Sequence, residues 1–151
     1  MTRGTVGHPM VSYTVLDHTA DTGVEATGDT LAQLTTHLAT GMFELMARIE
    51  PCPADQAVEI EVSAESDEDL VYEALSELLY HSETEDLLFC GFDVMANDFG
   101  ATEERSMRIT ARGVQSTGVE MNGPPIKAVT YHDMRVTSTD DGWYGRVYFD
   151  V

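Results

Sequence analysis

The stretch from Leu16 to Leu34, LDHTADTGVEATGDTLAQL, gathers groups able to do chemistry: Asp17, His18, Thr19 and Asp21 fall within five residues, and Gly23 follows. A turn this polar, set between two apolar segments, faces packed structure. Asp17 and Thr19 are residue types that hydrogen-bond nearby backbone amides in turns. His18 could be a ligand or a partner-facing contact. The closing residues, Tyr148-Phe149-Asp150-Val151, hold a second set of oxygens. A final strand that keeps its apolar pattern through Phe149 would fix the Asp150 side chain and the terminal carboxylate in the sheet. Such oxygens suit a hard cation such as calcium, magnesium or manganese. The plainer alternative is a solvated acidic terminus.

The elements that must position these groups follow from periodicity. Val11 to Leu16 alternates branched and polar residues as a strand, and Val24 to Thr27 makes a second short one. Asp29 or Thr30 caps a helix with Leu31, Leu34, Leu38, Met42 and Leu45 on one stripe, and Pro51 and Pro53 close the element. Val58, Ile60 and Val62 alternate with polar residues as a half-exposed strand. Ser66-Asp67 opens a second helix, with Leu70, Val71, Ala74, Leu75, Leu78 and Leu79 facing inward. Leu88 to Ala96, Met107 to Ala111, Ala128 to Thr137 and Trp143 to Asp150 read as strands. The expected class is α+β: two helices packed on one face of a mostly antiparallel or mixed β-sheet, in a single two-layer domain.

Asp141-Gly142 is a two-residue hairpin signal between the last two strands. With that loop, Met134 meets Phe149, Val136 meets Val147, and Asp133 meets Asp150; a loop one residue earlier, at Asp140-Asp141, changes the partners but keeps the same parity. Met134, Val136, Val147 and Phe149 then share the core face, while Lys127, Tyr131, Asp133, Arg135, Tyr148 and Asp150 share the other. His132 falls on the core-face parity, which predicts a packed, hydrogen-bonded histidine.

The chain of 151 residues carries 27 acidic residues against 8 basic ones, a formal net charge of −19, and Lys127 is its only lysine. Acid distributed without one dominant block resembles the surface of a protein from a high-salt cytoplasm, where the Debye length shrinks to about 3 Å at 1 M. The absence of a basic run argues against direct, tight nucleic-acid binding. No apolar run approaches the roughly 20 residues needed to span a membrane. MTRGTVGHPM lacks a signal-peptide apolar core, so residues 1–10 are expected to form a flexible tail before one domain at 11–151, in a cytoplasmic protein. Cys52 and Cys90 show no paired-cysteine spacing and are expected to be two buried thiols rather than a zinc or redox pair.

Four motifs in order, DHTADTG, GDTLAQL, IKAVTYHDM and the closing YFDV, resemble the archease family from about Tyr13 to Val151. The resemblance implies a small α+β protein cofactor, not an enzyme, that assists an RNA ligase of the RtcB type in tRNA splicing. It would promote guanylylation of the ligase by GTP and allow multiple turnover. An older view of the family implies chaperone-like modulation of a partner, including a tRNA methyltransferase. The resemblance further implies a divalent cation, calcium in first place, bound by Asp21, Asp150 and Val151. The lysine of the KAVTYH motif is Lys127, which with His18 and Asp17 is a candidate partner contact. One departure concerns a family Gly-Glu pair and a later histidine, where this chain has Gly113-Val114 and Met121, with Glu120 a possible substitute.

Two other classes of function are weaker. A small metal-dependent hydrolase using Asp21, His18 and Asp150 would lack a Ser/His/Asp arrangement, a phosphate-cradling glycine loop and an H-E-x-x-H motif. A general chaperone would need an exposed apolar surface, whereas nearly all the large apolar residues fit core faces.

Overall fold

The computed structural model describes residues 13–17, 22–53, 55–97 and 104–151. Among them run β1 (Tyr13–Asp17), β2 (Thr22–Gly28), α1 (Leu31–Glu44), β3 (Gln56–Ala64), α2 (Asp67–Glu85), β4 (Leu87–Asn97), β5 (Arg105–Gln115), β6 (Ala128–Thr139) and β7 (Gly142–Asp150). The α+β class and both helices are as expected. The strands divide between two antiparallel sheets, ordered β1-β2-β7-β6 and β3-β5-β4. α1 packs against β1, β2 and β7 of the first sheet and β4 of the second, while α2 touches β6 and all three strands of the second. None of the described helices is long and apolar enough to cross a membrane.

Local chemistry sets both helix starts. The Thr30 side chain accepts the Gln33 amide at 3.0 Å, and the Gln33 side chain reaches back to the Asp29 amide at 2.6 Å. Ser66 caps α2 by accepting the Asp69 amide at 3.1 Å. Asp67, Glu68 and Asp69 then fill a first turn that favours negative charge. The stripe Leu34, Leu38 and Met42 is fully buried, with Leu31 and Leu45 half-buried at its ends. Each such buried leucine stabilises the fold by about 1.5–3 kcal/mol. α1 is buried on a second side too, where Phe43 meets Phe89 edge-to-face at 5.4 Å. Gly41 lets the helix approach β1 and β2: a Cβ there would lie 2.9 Å from the Tyr13 ring. In α2, all six residues expected to face inward are buried.

Two register expectations are corrected. Thr139 pairs with Gly142, so Asp140-Asp141 forms the loop, and Val136 faces Gly145. Between Thr130 and Arg135 the β6–β7 register then shifts. Tyr131 to Met134 oppose Val147 alone, with Asp133 in the left-handed region at φ 51. The extra residues number three, an odd count, so parity inverts across the bulge. Beyond it Thr130 faces Tyr148, Val129 faces Phe149 and Ala128 faces Asp150, so Asp133 does not meet Asp150. Val129 takes the core position at the Lys127 end of the strand.

Cys52 and Cys90 form a disulfide with a Cα–Cα distance of 5.6 Å, and are not two buried thiols. Cys52 is exposed and Cys90 half-buried. The bridge ties the segment after α1 to β4 at the Phe89/Gly91 register shift.

Candidate metal and partner site

β2 links the acidic turn to the chain end. Its first residue, Thr22, pairs with Asp17 of β1 on one side and with Phe149 of β7 on the other. The chain therefore rejoins the sheet at Thr22, beside the residue that precedes Asp150. His18 and Asp21 lie outside the described residues, as does the side chain of Asp17.

Asp150 is fixed through its backbone. It pairs with Ala128, and its carbonyl accepts the Lys127 amide at 2.7 Å. Its side chain is exposed, and Val151 is exposed beside it. A carboxylate presented on a fixed strand end is an oxygen donor of the kind a hard cation takes. Among the described residues no group of three His, Cys, Asp or Glu side chains is placed to hold a metal ion. Asp150 and Val151 alone would supply only part of an oxygen shell, and the remainder would have to come from the turn.

The surface next to Asp150 is built on Tyr148 and Gly23. These two residues are paired, and the Tyr148 ring is buried over the glycine: a Cβ on Gly23 would lie 2.7 Å from Tyr148 Cδ1 and 2.6 Å from the Val147 carbonyl. The glycine of the DTG motif is thereby explained by close approach. The His132 ring stands 6.1 Å from that of Tyr148, and its Nε2 lies 3.4 Å from Asp133 Oδ2. This histidine is exposed, contrary to the core position expected for it, because the bulge inverts the parity. Below it, Arg146 Nε donates to the Asp133 carbonyl at 2.9 Å, which anchors the bulge to β7. Sequence reasoning placed Tyr148 on the correct face but gave it no role; Gly23 opposite it was the available signal.

The bulge also sends Tyr131 towards α2. Its ring stacks on Tyr72 at 3.9 Å, and its hydroxyl donates to Asp69 at 2.9 Å. Desolvation and the Asp69 acceptor push that hydroxyl up to about 12. Lys127 does not share the Asp150 face. Alternation from the Ala128↔Asp150 pair turns it to the other side, where it lines a hollow against α2. At the position of departure, a Cβ on Gly113 would come within 2.3 Å of the Leu88 carbonyl, so packing against β4 requires the glycine. Val114 is half-buried opposite Leu88, and Glu120 and Met121 are exposed.

The sequence pattern of the archease protein family matches residues 13–151. The chain is 34% identical to the protein archease of Methanosarcina barkeri over 143 residues, covering 92% of this chain and 95% of that one. It is 31% identical to the protein archease of Pyrococcus furiosus over 141 residues, covering 89% and 95%. The solution structure of protein 1598 from Methanobacterium thermoautotrophicum superposes with a TM-score of 0.82 at 29% identity, covering 93% of this chain and 99% of that one. The crystal structure of an archease and possible chaperone from Thermotoga maritima gives 0.59 at 18% identity, over 90% and 94%, and supports the fold alone. The chain belongs to the archease family.

Proposed function

We propose that this chain is a protein cofactor that activates an RNA ligase of the RtcB type in tRNA processing, by promoting its guanylylation with GTP and its multiple turnover. The observation that supports this reading is the convergence of the two acidic segments. Thr22 pairs with both Asp17 and Phe149, so one end of β2 ties the DHTAD turn to the strand that ends at Asp150. Oxygens from these two segments would suit a divalent cation, with calcium in first place and magnesium or manganese as alternatives. Asp21, Asp150 and the Val151 carboxyl group would hold it. Once bound, the ion supplies positive charge that polarises phosphoryl oxygens.

The chain's own contribution is positional. Pairing of β7 with both β2 and β6 fixes the Asp150 backbone, so the acidic end meets a partner without first having to be ordered. His18 and Asp17 are further candidate partner contacts of this reading. With a net charge of −19, the chain leaves RNA binding to the ligase. In a high-salt cytoplasm, docking rests on apolar and hydrogen-bonded contacts rather than long-range steering.

The test is to replace Asp21 and Asp150 singly by alanine, confirm the fold by circular dichroism, and measure calcium binding by calorimetry alongside stimulation of the ligase. Loss of both properties in both variants supports the reading; unchanged stimulation in both refutes it. A folded wild-type chain that leaves an active ligase unstimulated would favour chaperone-like service to a tRNA-modifying partner such as a methyltransferase.

A further inference from the structure

The Cys52–Cys90 bridge sits where a disulfide can be opened without taking the sheet apart. Within β4, Cys90 is passed over in the pairing with β5: Phe89 faces Gly113, and Gly91 faces Arg112. It is the extra residue of a bulge, so breaking its side-chain bond costs no ladder hydrogen bond. Cys52 stands in the connection between α1 and β3, outside any helix or strand. The bridge is also what holds that connection. Over residues 49–53, no hydrogen bond or salt bridge among the described residues ties the segment to the rest of the chain except at Cys52.

The two sulfurs are not equally open to attack. Cys52 is exposed and Cys90 half-buried, so an incoming thiolate reaches the Cys52 sulfur first. Two backbone carbonyls stand by that sulfur, the Pro53 oxygen at 3.7 Å and the Arg112 oxygen at 4.0 Å. A disulfide sulfur has no proton to give them. A Cys52 thiol has one, so the reduced state gains acceptors that the oxidised state leaves unused. In a cytoplasmic chain, the compartment expected from the sequence, a disulfide is usually transient and redox-sensing.

We propose that Cys52–Cys90 is a reversible thiol–disulfide exchange site whose substrate is a dithiol reductant, and that its redox state decides whether residues 49–53 are held against β4. One thiolate of the dithiol attacks Cys52 Sγ, the Sγ–Sγ bond breaks, and Cys90 leaves as a thiolate that takes up a proton. The second thiolate of the reductant then attacks its own sulfur in the mixed disulfide and releases Cys52, which is protonated in turn. The bridge gains two electrons and two protons, and the dithiol is oxidised to a disulfide. Neither step involves the ligase or a cation, so the site stands or falls apart from the ligase reading.

The full oxidised chain is treated with a thioredoxin whose resolving cysteine is replaced by serine, which stops the reaction at the mixed disulfide. Mass spectrometry should find the thioredoxin on Cys52 and a free thiol at Cys90, with the far-UV circular dichroism unchanged. Intact reduced thioredoxin should free both thiols, and an oxidised dithiol should restore the bridge. Trypsin reads the consequence for the segment, because Arg48 is exposed at its start. The Arg48–Ile49 bond should be cut in the reduced protein and in Cys52→Ser/Cys90→Ser, and resist in the oxidised protein. Arg108 and Arg112, inside β5, should stay uncut in all three, which separates local release from global unfolding. Reduction only at the rate of global unfolding, attachment of the thioredoxin at Cys90, or equal cutting at Arg48 in both redox states overturns the proposal. Cutting at Arg108 and Arg112 that keeps pace with Arg48 overturns it as well.

Discussion

Removing the Cys52–Cys90 bridge should destabilise the fold by an amount set by the loop it closes. The two cysteines are 38 positions apart, and the loop holds all of β3, all of α2 and the first residues of β4. Cross-linking over that span removes roughly 13 cal/mol/K of denatured-state entropy, or about 4 kcal/mol at 25 °C. Packing adds little to the loss, because Cys52 is exposed and Cys90 half-buried, and serine is nearly isosteric. For a domain of this size about 4 kcal/mol lowers the melting temperature by roughly 8–16 °C. The assay is differential scanning calorimetry of the oxidised protein, the protein in excess dithiol, and the Cys52→Ser/Cys90→Ser variant. Thiol titration establishes each redox state. The reduced protein and the serine variant should melt together, well below the oxidised form. Equal melting temperatures for forms shown to be oxidised and reduced would refute the reasoning.

Gly23→Ala should cost about 1–3 kcal/mol, since the new methyl overlaps the Val147 carbonyl and the Tyr148 ring; an unchanged urea midpoint would contradict this. The tyrosines give a pH signature. Burial, with the Glu44 acceptor 2.5 Å away, pushes the Tyr13 hydroxyl up to about 12, and Tyr131 is raised to about 12 as well. The folded state thus holds these protons more tightly than the unfolded state, whose tyrosines ionise near 10. The associated stability is complete below pH ~10 and is lost as pH rises through about 12. Burial and the Glu25 acceptor raise Tyr144 as well, so near-UV absorbance should show three tyrosines titrating late, and Tyr13→Phe together with Tyr131→Phe should reduce the alkaline loss of stability.

Helices were the most legible part of the sequence. Leu34, Leu38 and Met42, and the six apolar positions of α2, repeat at helical spacing and face the core wherever their helix lies. Strand alternation indicated most inward residues, with His132 in the bulge an exception, but not which strands pair, so the division into two sheets was not readable. The bulge at Tyr131–Met134 was hidden because its residues continue the polar and apolar mixture of the strand, and only their pairing with β7 reveals the extra length. The disulfide was hidden for a related reason: no spacing rule links two cysteines that only tertiary packing brings together. At the site, the turn and the chain end stood out by composition. That Thr22, which follows the turn, lies beside Phe149 depends on the β2–β7 register.

Single-turnover guanylylation of the cognate ligase with GTP and a divalent ion, at high salt, with and without this chain, tests the account most directly. Marked acceleration by the intact chain, lost when Asp150 and Val151 are deleted from a protein that stays folded, is the predicted result. An active ligase that the folded, intact chain leaves no faster would contradict it.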